Sequence, residues 1–243
     1  MKKLAELKQG ARFLYGGVEW VKLTDMGAAT LALAAEPVFE RAFDEENCND
    51  WRTSSLRREL NGPFLEALIA EGADPAAFLE WESDLTADDG MTDYESAFDK
   101  IALLSDGLYR NFRNLIPKIG CWWWTLTPWT CDPEYSYYVR RVNSSGALNW
   151  SSAYGGYRGV RPLCYLKSEI LVSVPGEEDA DDQAERRATT VEEATEAVME
   201  TLGNYAASLW GDVLAAVVSA LFQSKQDAEE IAQEEKAKQA AEG

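Results

Sequence analysis

The sequence predicts an α+β domain followed by a helical appendage, on three observations. Short runs of alternating or wholly apolar character open and close residues 1–174. Between them, the stretch after Asp50 repeats its apolar residues at helical spacing. Beyond a densely charged break, the end of the chain carries one apolar stripe, again at helical spacing.

Taken in order, FLYGGVEWVKLTD and ATLALAAE predict a β-hairpin in which Trp20, Val21 and Leu23 pair with Leu31 and Leu33 across a turn at Met26 to Ala28. In DWRTSSLRRELNGPFLEALIAEG, Leu56, Leu60, Phe64, Leu65 and Leu68 recur at helical intervals, and Asn61-Gly62-Pro63 interrupts them. Two short helices with a break at Gly-Pro are expected there. Residues 72–98 are acidic and rich in turn formers, which predicts an irregular insertion. Ile101 to Leu104 reads as a strand followed by a short helical turn. A strand ending near Pro128, a second from Tyr137 to Val142, a tight turn at Ser144-Ser145-Gly146 and a third strand from Ala147 come next. GVRPLCYLK supplies a last inner strand, with Val160 and Leu163 in the core. Trp51 and Trp124 are also expected to be buried. The domain should close at 174, because PGEEDADDQAERR predicts a structureless acidic linker over 175–189.

Residues 190–243 predict a separate helical segment. Thr190-Val191-Glu192-Glu193 matches a capping box, with the hydroxyl at the N-cap and the carboxylate three residues on. Val191, Val198, Leu202, Tyr205, Leu209, Val213, Val217 and Leu221 then form the apolar stripe. Asn204 and Asp212 argue against a membrane span across its most apolar part. A self-associating bundle is expected instead, making the protein a homo-oligomer or docking it on a larger assembly.

Composition narrows the function. With 42 Asp and Glu against 23 Lys and Arg in 243 residues, the formal charge is -19. Nucleic acid and anionic membrane surfaces would be repelled at long range and are not expected partners. Histidine is absent, which removes the commonest general base and transition-metal ligand. Cys48, Cys121, Cys131 and Cys164 fit neither a disulfide framework nor a CxxC zinc pattern and are read as free thiols. No cofactor or metal is expected. The start, MKKLAELKQG, is charged but leads into no apolar segment, so folding in a cytoplasm is expected, with virion association or leaderless export left open.

The richest stretch runs from Cys121 to Tyr165, where Tyr, Trp, Ser, Gly, Asn and Arg crowd together with few aliphatic residues. Antigen-binding loops share this chemistry: rigid aromatics supply contact area at low entropic cost, and small polar residues supply adaptable hydrogen bonds. Strand scaffolding alone could use the same Trp and Tyr. However, YSYY and RR set polar tips and charges on consecutive residues, so part of the segment must face water or a partner. The predicted ligand-binding face has aromatic anchors at Trp129, Tyr135, Tyr137, Tyr138, Trp150, Tyr154 and Tyr157. Arg140, Arg141, Arg158 and Asp132 give it charge, and Thr130, Asn149, Ser151 and Ser152 give it small polar groups.

The order GxxFxYGGVEWVKL, FDEENCNDWRTSSLRRELNGPFL, DKIALLS, WWWTLTP, VNSSGALN and GVRPL resembles a domain family of unannotated function found in gut bacteria, their prophages and phages. That family is similar to the C-type lectin-like fold, distantly related to formylglycine-generating enzymes. The resemblance covers residues 8–174. Some of its members are variable proteins of diversity-generating retroelements, in which Asn codons near the end of the domain are rewritten at their adenines. The matching frame here is VRRVNSSGALNWSSAYGGYRGVRP, from Val139 to Pro162. Within it, Arg140, Arg141, Ser145, Ser151, Ser152, Tyr154, Gly155, Gly156, Tyr157 and Arg158 are residues such changes produce, and Trp150 is not. Gly159 is expected to permit a tight turn, and Arg161 to tether the loops through backbone carbonyls.

Residues and resemblance together imply a non-enzymatic protein that binds a protein or glycan surface ligand, such as a phage receptor. The alternative is an architectural virion or assembly protein with a passive lectin-like decoration. An oxidase on the same fold would need two of Cys121, Cys131 and Cys164 to converge on copper, and their spacing gives that no support.

Overall fold

The computed structural model describes residues 1–156 and 158–175, with Ala220, Leu221 and Lys225 beyond them. The linker expected at 175–189 and the helical segment at 190–243 lie outside the described residues, apart from Pro175 and those three helical positions. The chain divides into two units, Met1–Glu178 and Asp179–Gly243.

The first unit is α+β and mostly sheet. It opens with β1 (Lys2–Lys3), β2 (Arg12–Tyr15), β3 (Val18–Met26), β4 (Ala29–Ala34) and β5 (Phe39–Glu40). The hairpin of β3 and β4 turns where predicted, with Gly27 at φ +65°. Its register pairs Trp20 with Ala34 and Val21 with Leu33, then shifts around Leu23 so that Thr24 faces Leu31. A bulge of this kind inserts one residue and twists the pair.

Helix α1 (Ser55–Glu59) starts at Ser54, whose Oγ accepts from the Arg57 N–H at 3.1 Å and donates to the Phe43 carbonyl at 2.9 Å. The expected break at Gly62-Pro63 does not occur. Leu60–Phe64 forms a π turn that carries the chain unbroken into α2 (Leu65–Ala70). A wider turn tolerates the proline, which has no N–H to give and crowds the preceding carbonyl. Asn61 faces the next segment, accepting from the N–H groups of Lys100 and Ile101 and donating to the Ile101 carbonyl at 2.8 Å.

The stretch expected to be irregular holds three strands, β6 (Phe78–Leu79), β7 (Trp81–Asp84) and β8 (Ser96–Asp99). The last two form a hairpin in which Trp81 pairs with Asp99. Acidic composition conceals a regular alternation, with Ser83, Ala97 and Asp99 turned inward. Next come β9 (Ile101–Leu103), helix α3 (Asp106–Phe112), β10 (Trp123–Pro128), β11 (Tyr138–Val142), β12 (Leu148–Ser152), β13 (Gly159–Val160), β14 (Pro162–Lys167) and β15 (Leu171–Val172).

Two sheets organise the unit. One runs β2-β3-β4-β14-β6, with β9 also on β14; the other runs β12-β11-β10-β13-β5. Only the pair β10 and β13 in the second sheet is parallel. A core of Phe13, Trp20, Phe43, Trp51, Trp124, Leu126, Val139 and Val160 fills the space between α1, α2 and the sheets. A second cluster gathers Val21, Leu33, Tyr109, Trp123, Val142 and Leu163 beside α3. Trp51, Trp124, Val160 and Leu163 are therefore buried, as their types and spacing predicted.

Arg161 stands where the chain crosses from one sheet to the other. Fully buried, it donates from Nε to the Ala34 carbonyl and from Nη2 to the Ala35 carbonyl, both at 2.9 Å. Its tether thus runs to the end of β4 and not to the predicted recognition loops. Gly159 also differs from expectation, since its φ is not left-handed. A Cβ there would lie 2.8 Å from Pro37 Cγ and 3.2 Å from Cys121 Sγ, so the glycine answers a lack of room.

Candidate functional site

The hairpin of β11 and β12 carries seven of the fifteen predicted residues. Its turn is held by Asn143, whose Oδ1 accepts from Ser145 N at 3.0 Å, Ser145 Oγ at 2.7 Å and Ala147 N at 2.9 Å. Gly146 closes it at φ +81°, and its carbonyl accepts from the buried Tyr109 hydroxyl at 2.7 Å. Registration then pairs Tyr138 with Ser152, Arg140 with Trp150 and Arg141 with Asn149.

Because strand side chains alternate, this register divides the predicted residues between two faces. Tyr138, Arg140, Trp150 and Ser152 point one way; Arg141, Asn149 and Ser151 point the other. A single display surface containing all of them is therefore not formed.

On the first face the aromatics make one connected cluster. Trp150 packs on Tyr138 with ring centroids 4.4 Å apart and stacks on Trp129 at 6.0 Å. Trp129 meets Tyr138 at 5.5 Å and Tyr135 at 5.8 Å, both edge-on, and Tyr137 lies 4.3 Å from Tyr138. Trp150 keeps 43% of its surface exposed and Tyr135 40%, so the cluster is a wet platform and not core. Tyr154, 65% exposed, makes no ring contact with it. Tyr157 lies outside the described residues.

The loop that offers Trp129 and Tyr135 is braced from behind. Asn49, fully buried, donates from Nδ2 to the carbonyls of Thr130 and Tyr138, and its Oδ1 accepts from the Tyr94 hydroxyl at 2.8 Å. Thr130, only 6% exposed, is a post for this loop, because its Oγ1 accepts from Asp132 N at 3.1 Å. Exposed Asp132 in turn accepts from Glu134 N. Asn47, at φ +60°, accepts from Ser152 Oγ and Tyr154 N. The sequence alone does not single out Asn47 and Asn49, since an Asn in a polar loop carries no local signal of a partner so distant in the chain.

Arg140 is already engaged. Its Nε lies 3.0 Å from Asp106 Oδ2 and 3.5 Å from Asp88 Oδ2, and Arg110 approaches the same two carboxylates. Burial raises the Asp106 pKa above the usual carboxylate value, with the Arg140 hydrogen bond pulling the other way; Asp106 Oδ1 is buried without a partner. A raised acid binds more protons folded than unfolded, so the contribution of Asp106 to stability rises as pH falls from its folded pKa towards 3.8. Urea midpoints of wild type and Asp106→Asn should therefore diverge in favour of wild type between about pH 7 and pH 4. A widening in favour of the variant would contradict this.

On the second face, Arg141 is 6% and Ser151 8% exposed, so neither is displayed as expected. Arg141 Nε donates to Ser151 Oγ at 2.6 Å and to the Trp150 carbonyl at 3.2 Å. Trp122, 42% exposed and missed as a site residue, takes the Arg141 guanidinium over its ring at 3.7 Å and that of Arg158 at 4.8 Å. Asn149 is exposed at the rim, its Oδ1 accepting from Trp150 N.

Elsewhere, an open hollow of about 360 Å³ is lined by Arg57, Arg58, Asn61, Glu80, Phe98, Asp99 and Lys100, and by none of the predicted residues. All four cysteines are free thiols, and burial pushes the Cys121, Cys131 and Cys164 thiols up, away from reactive thiolate. Among the described residues no three His, Cys, Asp or Glu side chains group to hold a metal, and no helix is long and apolar enough to cross a membrane.

Residues 108–168, from α3 to β14, match a family model described as a domain of unknown function (DUF6273). No curated protein and no solved structure matches the chain.

Proposed function

We propose that this is a non-enzymatic binding protein on a C-type lectin-like scaffold, and that the aromatic platform of Trp129, Tyr135, Tyr137, Tyr138 and Trp150 is its ligand surface. The observation that carries the reading is the platform itself: five connected rings with Trp150 and Tyr135 each about two-fifths exposed. A soluble domain has little reason to keep such rings wet unless something covers them. Tyr and Trp bury large area while freezing few torsions, which suits them to a protein or glycan surface. The bracing by Asn49 and Arg140 supports it further, because a platform held before contact loses little entropy on binding.

In this reading the ligand is a surface receptor and the gene belongs to a phage or prophage. Within the fixed frame from Val139 to Pro162, selected positions from Arg140 to Arg158 are those that a retroelement would diversify, with the helical segment beyond the domain multiplying weak sites through avidity. The decisive experiment screens the full chain on a glycan array and on intact gut bacterial cells. Binding by wild type should fall at least tenfold in a Trp150→Ala, Tyr135→Ala double variant, which corresponds to at least about 1.4 kcal/mol. Circular dichroism of the variant should be unchanged. Undiminished binding would move the site off the platform, and no binding by wild type to either panel would count against the function.

A further inference from the structure

Arg141 and Arg161 are the buried arginines without a carboxylate partner among the described residues, whereas Arg58 and Arg113, which also have none, are exposed. Arg12, Arg41, Arg52, Arg57, Arg110 and Arg140 each lie against an Asp or Glu. Arg141 has no carboxylate partner among the described residues, although Asp and Glu outnumber Lys and Arg 42 to 23. Both its hydrogen bonds leave from Nε, to Ser151 Oγ and the Trp150 carbonyl. Its terminal nitrogens make none, and Nη1 is shut off from water.

The nearest charge makes this worse. Arg158 shares the Trp122 ring with it and reaches the same Ser151 Oγ from Nη2 at 3.4 Å. Burial, and after it the neighbouring Arg158, lowers the Arg141 pKa from the ordinary arginine range. A guanidinium taken out of water beside another cation is destabilising unless an anion joins them. Arg161 is also buried with one bare nitrogen, but it lies in the core and spends two donors on strand carbonyls. Arg141 instead sits at the rim, between exposed Trp122 and exposed Asn149. With Nε held by Ser151 and Nη1 closed off, Nη2 is the terminal nitrogen of Arg141 left to take an oxygen of a carboxylate or sulfate.

We propose that Arg141 and Arg158, stacked on Trp122, bind an oxyanion carried by a ligand, a carboxylate or a sulfate, on the face of the hairpin opposite the aromatic platform. The uncovered part of Trp122, 42% of its surface, receives the carbon frame to which that group is attached. The Arg141 charge, which no carboxylate among the described residues balances, attracts an anion to a protein whose overall charge of -19 would otherwise repel it. This site does not depend on the platform being a ligand surface.

The test is an NMR titration of arginine side-chain N–H signals in the full chain, with ionic strength held constant by sodium chloride. The probes are glucuronate, sulfate and, as the neutral control, glucose. Signals of Arg141 and Arg158 should shift and saturate with at least one oxyanion below about 100 mM, and not with glucose. Saturation by glucuronate alone supports a carboxylate, by sulfate alone a tetrahedral oxyanion, and by both a general oxyanion site. Arg158→Gln and Trp122→Leu should each weaken that binding at least about tenfold. The Trp150→Ala, Tyr135→Ala variant should leave it intact, which separates failure here from failure of the platform. Shifts that never saturate, or that glucose reproduces, would overturn the proposal, as would unchanged affinity in a folded Arg158→Gln protein.

Discussion

Replacing Trp124 by Ala should lower the unfolding free energy by about 3–5 kcal/mol, the usual loss for emptying a large aromatic site in a core. Three features place it at the upper end. The indole is fully buried, it packs edge-on against Phe43 at 6.0 Å, and its Nε1 donates to the Arg41 carbonyl at 2.8 Å. Gly155 approaches so closely that a Cβ there would lie 3.8 Å from the ring, so the strap after β12 also loses its support. Trp124→Phe keeps most of the volume but leaves the Arg41 carbonyl unpaired, and should cost about 1–2 kcal/mol beyond the smaller ring's lost packing. Urea denaturation followed by far-ultraviolet circular dichroism would measure both. A loss below about 1 kcal/mol for the alanine variant would mean that the site collapses around the deletion.

Arg161→Ala should lose about 3–5 kcal/mol, through a cavity beside Trp123 and two strand-end carbonyls stripped of donors. The guanidinium lies 4.8 Å over the Trp123 ring, and burial pulls its pKa down to about 10. Burying the charge is thus unfavourable in itself. The gain comes from directional bonds to Ala34 and Ala35, which no apolar residue replaces. Arg161→Lys should fall between wild type and alanine, because an ammonium cannot span both carbonyls as a planar fork does. If the lysine variant were as stable as wild type, fork geometry would not matter and charge alone would suffice.

Local pattern revealed the fold wherever pattern and burial coincide. Alternation located β3, β4, β11 and β12, and the burial of Trp51 and Trp124 followed from size and placement. Two errors share one cause, which is reading composition in place of geometry. Gly62-Pro63 ordinarily stops a helix, yet one π turn accommodates it. Acidic residues 72–98 looked like loop, because β7 and β8 carry polar residues on both faces, with Ser83 and Asp99 inward and Phe98 outward. At the site, residue types pointed to recognition and adjacency misled about its shape. Arg140 and Arg141 are neighbours in sequence, yet one joins Asp106 and the other Trp122 on opposite faces. The braces at Asn47, Asn49 and Asp106 come from distant segments, and no local pattern in one sequence announces such contacts.

The parallel pairing of Trp123 with Gly159 gives the recognition segment the form of an exchangeable cassette. The chain runs out along β10, β11 and β12 of one sheet and returns as β13 beside the start of β10, so the stretch between Trp123 and Gly159 is an excursion whose two ends are paired with each other. Inside it, Trp124, Leu126, Val139, Val142 and Ala153 point into the core and form the retained frame. Exposed positions can be rewritten, or the turn at Asn143–Gly146 lengthened, with little change in closure entropy, since that grows only with the logarithm of loop length. A library built on this protein would keep those five residues, Gly159 and Arg161, and randomise the exposed positions of one face of the hairpin at a time.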